Sequence, residues 1–535
     1  MGTIQQQIPS LKAKLIGELS DDSELALFRG IPYASVNKRW THSTTTHTLD
    51  SPFDATKFGP RCVQNTGHVL VSGGTTDPTP GDDEFKCLNL NVCVPKESLP
   101  DPNGNSPNGS LLPVLVWIHG GAFAYGANSV SRYRPHVISK LAKESRTPFV
   151  LVQIQYRLGH FGFAVSQDLA SENPDILGNY GLVDQRNALE WVQAHIAGFG
   201  GDPSNVTVFG VSAGSYSCAY HILGGDPLFD RAFLMSGSGM ALGATTLEDL
   251  DKPWQNVCKA FDFQDEAPAV RLHKMRDLSV ADILKTYKGS ASPFGDGKIL
   301  PTKWNREMVH PSTRCKSIVM GDTNNEALIM DKLIENISPE AFQERVYSSF
   351  PEEVATNIFR SFGFKEDETD FEKYRSAMHH FLSVTFFQFP NILLAESFSQ
   401  VGKAYYYHFE VPSPYEGPTF GCSYHGFCAL TLHLTEIDLY PEADQNVAKD
   451  MARALAAFTW GKEPWEEYRD KRFMRFGPGK TEMMDEKDDE TRDYKYSQLI
   501  RDKFEDIQTF TQNLMHEQTA SVALFEKKTW DAKKV

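Results

Sequence analysis

Gly210-Val211-Ser212-Ala213-Gly214 sets a serine between two glycines. A serine hydroxyl is a poor nucleophile until a base takes its proton. The pattern alone is a weak signal, but its setting strengthens it: the β-type run VTVF precedes it and the helical run SYSCAYHIL follows. A strand–turn–helix of this kind holds a serine on a sharp bend with its hydroxyl exposed. The glycines leave out side chains that would strike neighbouring backbone. The plain alternative is an ordinary glycine-rich βα turn. His119-Gly120-Gly121-Ala122-Phe123 follows the run LPVLVWI. Backbone N–H groups in such a turn, aimed where a carbonyl oxygen gains charge, make half of an oxyanion hole. The N–H of Ala213 is the expected other half. By itself this turn is equally a tight loop with no ligand; in this order the two motifs point to acylation of Ser212. Cys422-x-x-His425-x-x-Cys428 has the spacing of a metal cluster. Zinc there would want a fourth ligand, for which His433 is the candidate.

These residues need a rigid frame. Pro113–His119, Phe149–Tyr156, Val206–Val211, Ala232–Met235, Ser317–Met320 and Ala404–Phe409 are short, nearly continuous apolar runs. Such runs suit strands buried on both faces. Helical patterns lie between them, as at Leu182–Ile196 and Ser215–Leu223. The alternation predicts an α/β fold with a mostly parallel central sheet covered by helices on both faces. Leu247–Tyr287 and Asp331–Ser399 look mostly helical. Strand-like runs resume after each, so we expect insertions, about 247–310 and 331–400, forming a cap on a single domain across residues 1–535. Thr75–Asp83 and Asp101–Gly109 are rich in Pro, Gly and Asp and are expected as loops. The run Lys480–Arg492 reads as a charged tail that then becomes amphipathic.

The chain of 535 residues is 41% hydrophobic and 23% charged, enough to bury a large core. Its 53 Lys+Arg against 69 Asp+Glu leave 53 − 69 = −16. A net acidic surface argues against a nucleic-acid partner and against docking on anionic lipid. The longest apolar runs, such as Leu111–Ile118, fall far short of the roughly 20 residues of a spanning helix. MGTIQQQIPSLKAKL lacks the basic and apolar regions of a secretory signal. The cytoplasm is the expected location, and the glycosylation patterns at Asn108, Asn205 and Asn336 would be silent there.

With these motifs in place the chain resembles the carboxylesterase/lipase type-B family, the cholinesterase-like α/β-hydrolases, and is most similar to their fungal branch. The similarity runs through FRGIPYA, CLNLNV, WIHGGAFAYG, Tyr156-Arg157-Leu158 and the long block Gly178–Gly214. It continues through Ser236-Gly237-Ser238, Gly417…His425 and FTWGKEPW. The resemblance implies the α/β-hydrolase fold and a Ser–Glu–His triad. It places the acid at Glu326, in GDTNNE, and the base at His425, in the hydrolase order serine, acid, histidine. Asp322 and Asp331 are the rival carboxylates nearby. It assigns the oxyanion donors to Gly121, Ala122 and Ala213, and puts Ser236 behind the acid, where it would steady the carboxylate. It implies a small-molecule ester as partner and no cofactor or metal. The implied reaction is ester hydrolysis through an acyl-enzyme, with a place in specialised metabolism. Acyl transfer or cyclisation on the same scaffold, a peptidase, and a non-catalytic binding protein are the alternatives.

The chain also departs from the family pattern. Val211 stands where most relatives carry Glu before the serine, which makes a cationic, choline-type ester a poor expectation. Ala122 replaces a third glycine, Ala327 a glycine after the acid, and Cys428 an acidic residue after the histidine. These changes leave the triad in place and suggest an uncharged, fairly apolar ester or lactone. Of the eight cysteines, Cys62 and Cys87 match a disulfide of secreted relatives. In the cytosol we expect mainly free, buried thiols.

Overall fold

The structure is a computed structural model that describes residues 2–64, 77–101, 104–239, 247–287, 293–302, 314–335, 337–365, 370–489 and 497–521. The remaining residues lie outside it. They include Asn336, residues 75–76 of the first loop and 102–103 of the second. They also include 288–292 and 303–310 of the first helical insertion, 366–369 of the second, and 490–492 of the charged run.

Among the described residues a mixed sheet crosses the molecule. Its middle is parallel, in the spatial order Val150–Ile154, Leu112–Ile118, Gly201–Val211, Arg231–Met235, Ser317–Thr323, Lys403–Phe409 and Arg472–Gly477. All six strand-like runs of the sequence fall here. Alternate residues of each strand enter opposite cores: Val114, Val116 and Ile118 pack on one face, Leu115 and Trp117 on the other. Burial on both sides is why these strands read as unbroken apolar runs.

The flanks are antiparallel. Thr3–Ile8, Ala13–Leu19, Leu25–Pro32 and Asn89–Pro95 close one side. On the other side Lys480–Asp485, read from the sequence as part of a charged tail, pairs with Arg472–Gly477 as a strand. Arg475 faces Glu482 across this hairpin with a 3.2 Å ion pair. An edge strand tolerates such charges and is protected by them, so hydrophobic patterning does not see it.

Helices cover the sheet, among them Tyr180–His195, Ala213–Leu223 and Glu442–Thr459. The first helical stretch forms Leu247–Ala260, Pro268–Asp277 and Val280–Thr286, which share a small core around Trp40, Phe161 and Trp254. The second contains Pro339–Ser349, Glu352–Phe362 and Phe371–Leu382, whose apolar faces join the main core. No described helix is long and apolar enough to cross a membrane. Thr207 of the Asn205 glycosylation pattern is fully buried in the sheet.

The strand order matters for function. From Leu112–Ile118 the chain steps to one side, to Val150–Ile154, and then to the other, to Gly201–Val211. A crevice opens at the carboxyl ends of strands where the order reverses. His119-Gly120-Gly121 leaves one of these two ends and Ser212 the other.

Candidate active site

Ser212 stands between Gly201–Val211 and Ala213–Leu223 with φ 54 and ψ −124. A non-glycine residue held there costs of order 1–3 kcal/mol. The neighbours impose it: Ser212 donates its N–H to Met235 O at 2.9 Å, and its carbonyl accepts the N–H of Tyr216 at 2.8 Å. The flanking glycines serve close approach. A Cβ on Gly214 would lie 2.0 Å from the Ile118 carbonyl oxygen, and one on Gly210 would lie 2.5 Å from the Gly214 carbonyl carbon.

The His119–Phe123 turn presses against this bend. A Cβ on Gly120 would meet the Val211 carbonyl oxygen at 2.6 Å. Gly121, Ala122 and Phe123 follow with φ of 116, 51 and 57. Ala213 opens its helix, so its N–H has no carbonyl a turn earlier to bond.

Glu326 and His425 meet. Glu326 leaves the strand Ser317–Thr323, and its Oε1 accepts the N–H of Thr323 at 2.8 Å. Its Oε2 lies 2.5 Å from His425 Nδ1, which therefore carries the proton. The carboxylate is fully buried and the imidazole 7% exposed. A backbone bridge joins their two loops, with the N–H of Asn325 on Ser423 O at 2.9 Å. Phe387 lies against the imidazole, ring centres 4.7 Å apart. The rivals are turned elsewhere: Asp322 bonds His408 and Tyr406, and Asp331 pairs with Arg375 and His379.

His425 Nε2 is buried without a hydrogen-bond partner. Ser212 Oγ is not bonded to it here, although both line one cavity of about 100 Å³. Catalytic hydrogen bonds are often long in the absence of substrate. Gly121 and Ala122 line the same cavity, with Val130, Val211, Ile329 and Leu430 on its walls. No Asp, Glu, Lys or Arg is among the described residues that line it.

Ser236, expected to steady Glu326, is fully buried but makes no hydrogen bond to it. It sits beside Cys428, and the steadying bond comes from the Thr323 N–H of the acid's own loop. Burial pushes the Cys428 thiol up to about 12, and it raises the Tyr216 and Tyr407 hydroxyls as well. The Glu326 charge adds to each rise, so neutral groups surround the carboxylate.

The metal reading of Cys422, His425 and Cys428 is not what the geometry assembles. His425 Nδ1 faces Glu326, Cys428 accepts from Tyr407, and His433 donates Nδ1–H to Ala429 O at 2.8 Å. Among the described residues no three His, Cys, Asp or Glu side chains group as metal ligands. All eight cysteines are free and all but Cys422 are buried, Cys62 and Cys87 as neighbours. Sequence reasoning missed Thr323, Phe387, Ile329 and Leu430. Thr323 stands in the GDTNNE stretch but acts through its backbone N–H, which side-chain type does not report. The other three belong to no motif, and their roles exist only once distant segments converge.

The chain is similar to known esterases. A model of the carboxylesterase family matches residues 11–504. An esterase of Caenorhabditis elegans is 30% identical over 445 residues, which is 77% of this chain and 76% of its own. The para-nitrobenzyl esterase of Bacillus subtilis is 29% identical over 361 residues, 62% and 68% of the two chains. Acetylcholinesterase of Danio rerio is 36% identical over 227 residues, 41% of this chain and 32% of its own. The solved structure of a thermophilic PNB esterase shares the fold, with a TM-score of 0.71 at 23% identity over 91% of this chain and 99% of that one.

Proposed function

The chain belongs to the carboxylesterase family and is a serine carboxylic ester hydrolase, and from this we propose that it cleaves uncharged, fairly apolar esters or lactones with Ser212, Glu326 and His425 as its triad. The observation that carries the assignment is the buried Glu326–His425 pair at 2.5 Å, whose free Nε2 shares a cavity with Ser212.

His425 Nε2 takes the proton of Ser212 as Oγ attacks the acyl carbon. The oxyanion that forms is held by the N–H groups of Gly121, Ala122 and Ala213. Glu326 fixes the tautomer and stabilises the imidazolium. The proton then passes to the leaving alkoxide, the alcohol departs, and the acyl group stays on Oγ. Water, deprotonated by the same histidine, repeats the attack and releases the acid.

The cavity supports the proposed substrate class. The space of about 100 Å³ beside Ser212 opens to the surface and has apolar walls, which suits a short acyl or alkyl group there. Val211 leaves it without a carboxylate, so a cation entering would be desolvated and unpaired.

The test is a series of p-nitrophenyl esters of rising chain length, assayed for wild type and Ser212→Ala, with folding checked by circular dichroism. Short chains should be favoured, and Ser212→Ala should lose about 10⁶ in kcat. Folded Ser212→Ala of undiminished activity would remove the nucleophile assignment. A choline ester should be turned over about tenfold less efficiently than its neutral 3,3-dimethylbutyl isostere; the reverse order removes the substrate class. An added alcohol that captures the acyl group in preference to water would make the enzyme an acyltransferase.

A further inference from the structure

The helix behind the acid loop is not α-helical throughout. Between Phe371–Leu382 and Phe389–Phe398, residues Ser383–Gln388 form a π turn, with the N–H of Phe389 bonded to the Val384 carbonyl. Such turns are rare and gather at functional sites. Here the cause is local. Pro390 has no N–H, so it answers neither the Thr385 nor the Phe386 carbonyl, and the Phe389 N–H is already used by Val384. The Thr385 carbonyl is taken instead by Gln508 Nε2, from the helix Phe504–Ser521. Thr511 Oγ1 stands 3.5 Å from Thr385 Oγ1 beside it.

The wide turn decides which side chains face the acid. In an α-helix residue 388 would lie about 140° round from residue 383. Closure from i to i+5 brings 388 back to the same side as 383 instead. Ser383 Oγ accepts the N–H of Ala327 at 3.0 Å, and Gln388 Nε2 donates to Thr323 O at 3.0 Å, both in the interior. These bonds grip the chain on both sides of Glu326. Ala327 N–H is one of the orphan donors at the start of Glu326–Met330, and Ser383 caps it from across the core. Phe387, between the two, carries the ring that rests on His425.

We propose that this π turn positions the acid–base pair, with Ser383 and Gln388 as positioning residues and Gln508 as the latch that holds the turn open. The proposal rests on the reading of Glu326 and His425 as acid and base. It makes the helix Phe504–Ser521, which carries neither residue, part of what sets the turnover rate.

Ser383→Ala, Gln388→Met and Gln508→Met are to be assayed on p-nitrophenyl acetate, with kcat referred to sites titrated by a fluorophosphonate probe, so that unfolded molecules drop out. Misplacement of a catalytic group by a fraction of an ångström should lower kcat about tenfold in the first two and about threefold in Gln508→Met, with KM within about twofold. Ser383→Thr keeps the acceptor and should recover most of the rate. Unchanged kcat per titrated site in all three, beside a loss of about 10³-fold or more in Glu326→Gln, overturns the positioning role and leaves the triad standing. Full activity in Glu326→Gln instead removes the triad reading. A loss confined to the number of titratable sites, or to KM, marks these residues as stabilising only and overturns the proposal. If Ser383→Ala does not fold, Gln508→Met, which bonds no residue of the acid loop, decides it.

Discussion

Gly121 and Ser212 are both held in backbone conformations that ordinary residues avoid, and for different reasons. Ser212 tolerates φ 54 because its N–H and carbonyl are both bonded. Gly121 has φ 116, and a Cβ there would sit 2.0 Å from the Tyr125 carbonyl oxygen. Gly121→Ala must therefore move the turn and misdirect its N–H groups. We expect kcat on a p-nitrophenyl ester to fall about 10²–10³-fold, the cost of one oxyanion donor. KM should change little, and stopped-flow acylation should slow by the same factor. Undiminished acylation would show that the N–H groups of this turn are not the donors. Ala122, at φ 51, is also left-handed, and its methyl group does not remove its N–H.

Elements meet at this site because the strands end there. Four chain segments leave the same edge of the sheet: the His119 turn, the Ser212 bend, the Glu326 loop and the His425 loop. The first two are bound by direct backbone contact, which explains the glycines. Gly214→Ala would put a methyl 2.0 Å from the Ile118 carbonyl oxygen, forcing the helix Ala213–Leu223 away from the strand Leu112–Ile118. Overpacking of this kind costs about 1–3 kcal/mol. The expected result is a lowered denaturation midpoint together with loss of activity, as the helix carries Ala213. A variant of wild-type stability would mean that the strand–helix approach relaxes freely. The other two segments are bound by the Asn325–Ser423 bridge and the π turn behind it.

Across the whole molecule, burial sets the response to acid. His119, His160 and His433 are buried, and burial pushes their pKa down to about 4, 3 and 4, with the Arg39 charge adding to the fall at His160. In the unfolded chain a histidine titrates near 6.5. Between the two values the unfolded state binds more protons, so stability rises with pH there. This contribution is fully present above about pH 6.5 and is lost as pH falls toward 4, with a slope of up to about 1.4 kcal/mol per unit for each group. Thermal midpoints should fall steeply from pH 7 to 5, and His433→Gln should show a shallower fall. A midpoint that stays level across that range would mean that these rings find water or partners when charged.

Residue order and type were enough for the parallel core of the sheet, the serine bend and the glycine turn. Each is local: apolar runs report burial on both faces, and a glycine next to a serine reports close backbone approach. The motif order also pointed to Glu326 and His425, through likeness to a family rather than through spacing. Local patterns are silent on the charged edge strand Lys480–Asp485, which is held by pairing with Arg472–Gly477 and buries Met483 and Met484 only in part. They could not choose between Asp322, Glu326 and Asp331 either, because all three are carboxylates within one short stretch. Tertiary structure separates them, turning Asp322 onto His408, Asp331 onto Arg375, and Glu326 alone onto His425. Ser383, which lies 56 residues from the amide it caps, is legible only in the fold. Its role depends on a contact between helix and loop, and no local pattern encodes a contact between segments so far apart.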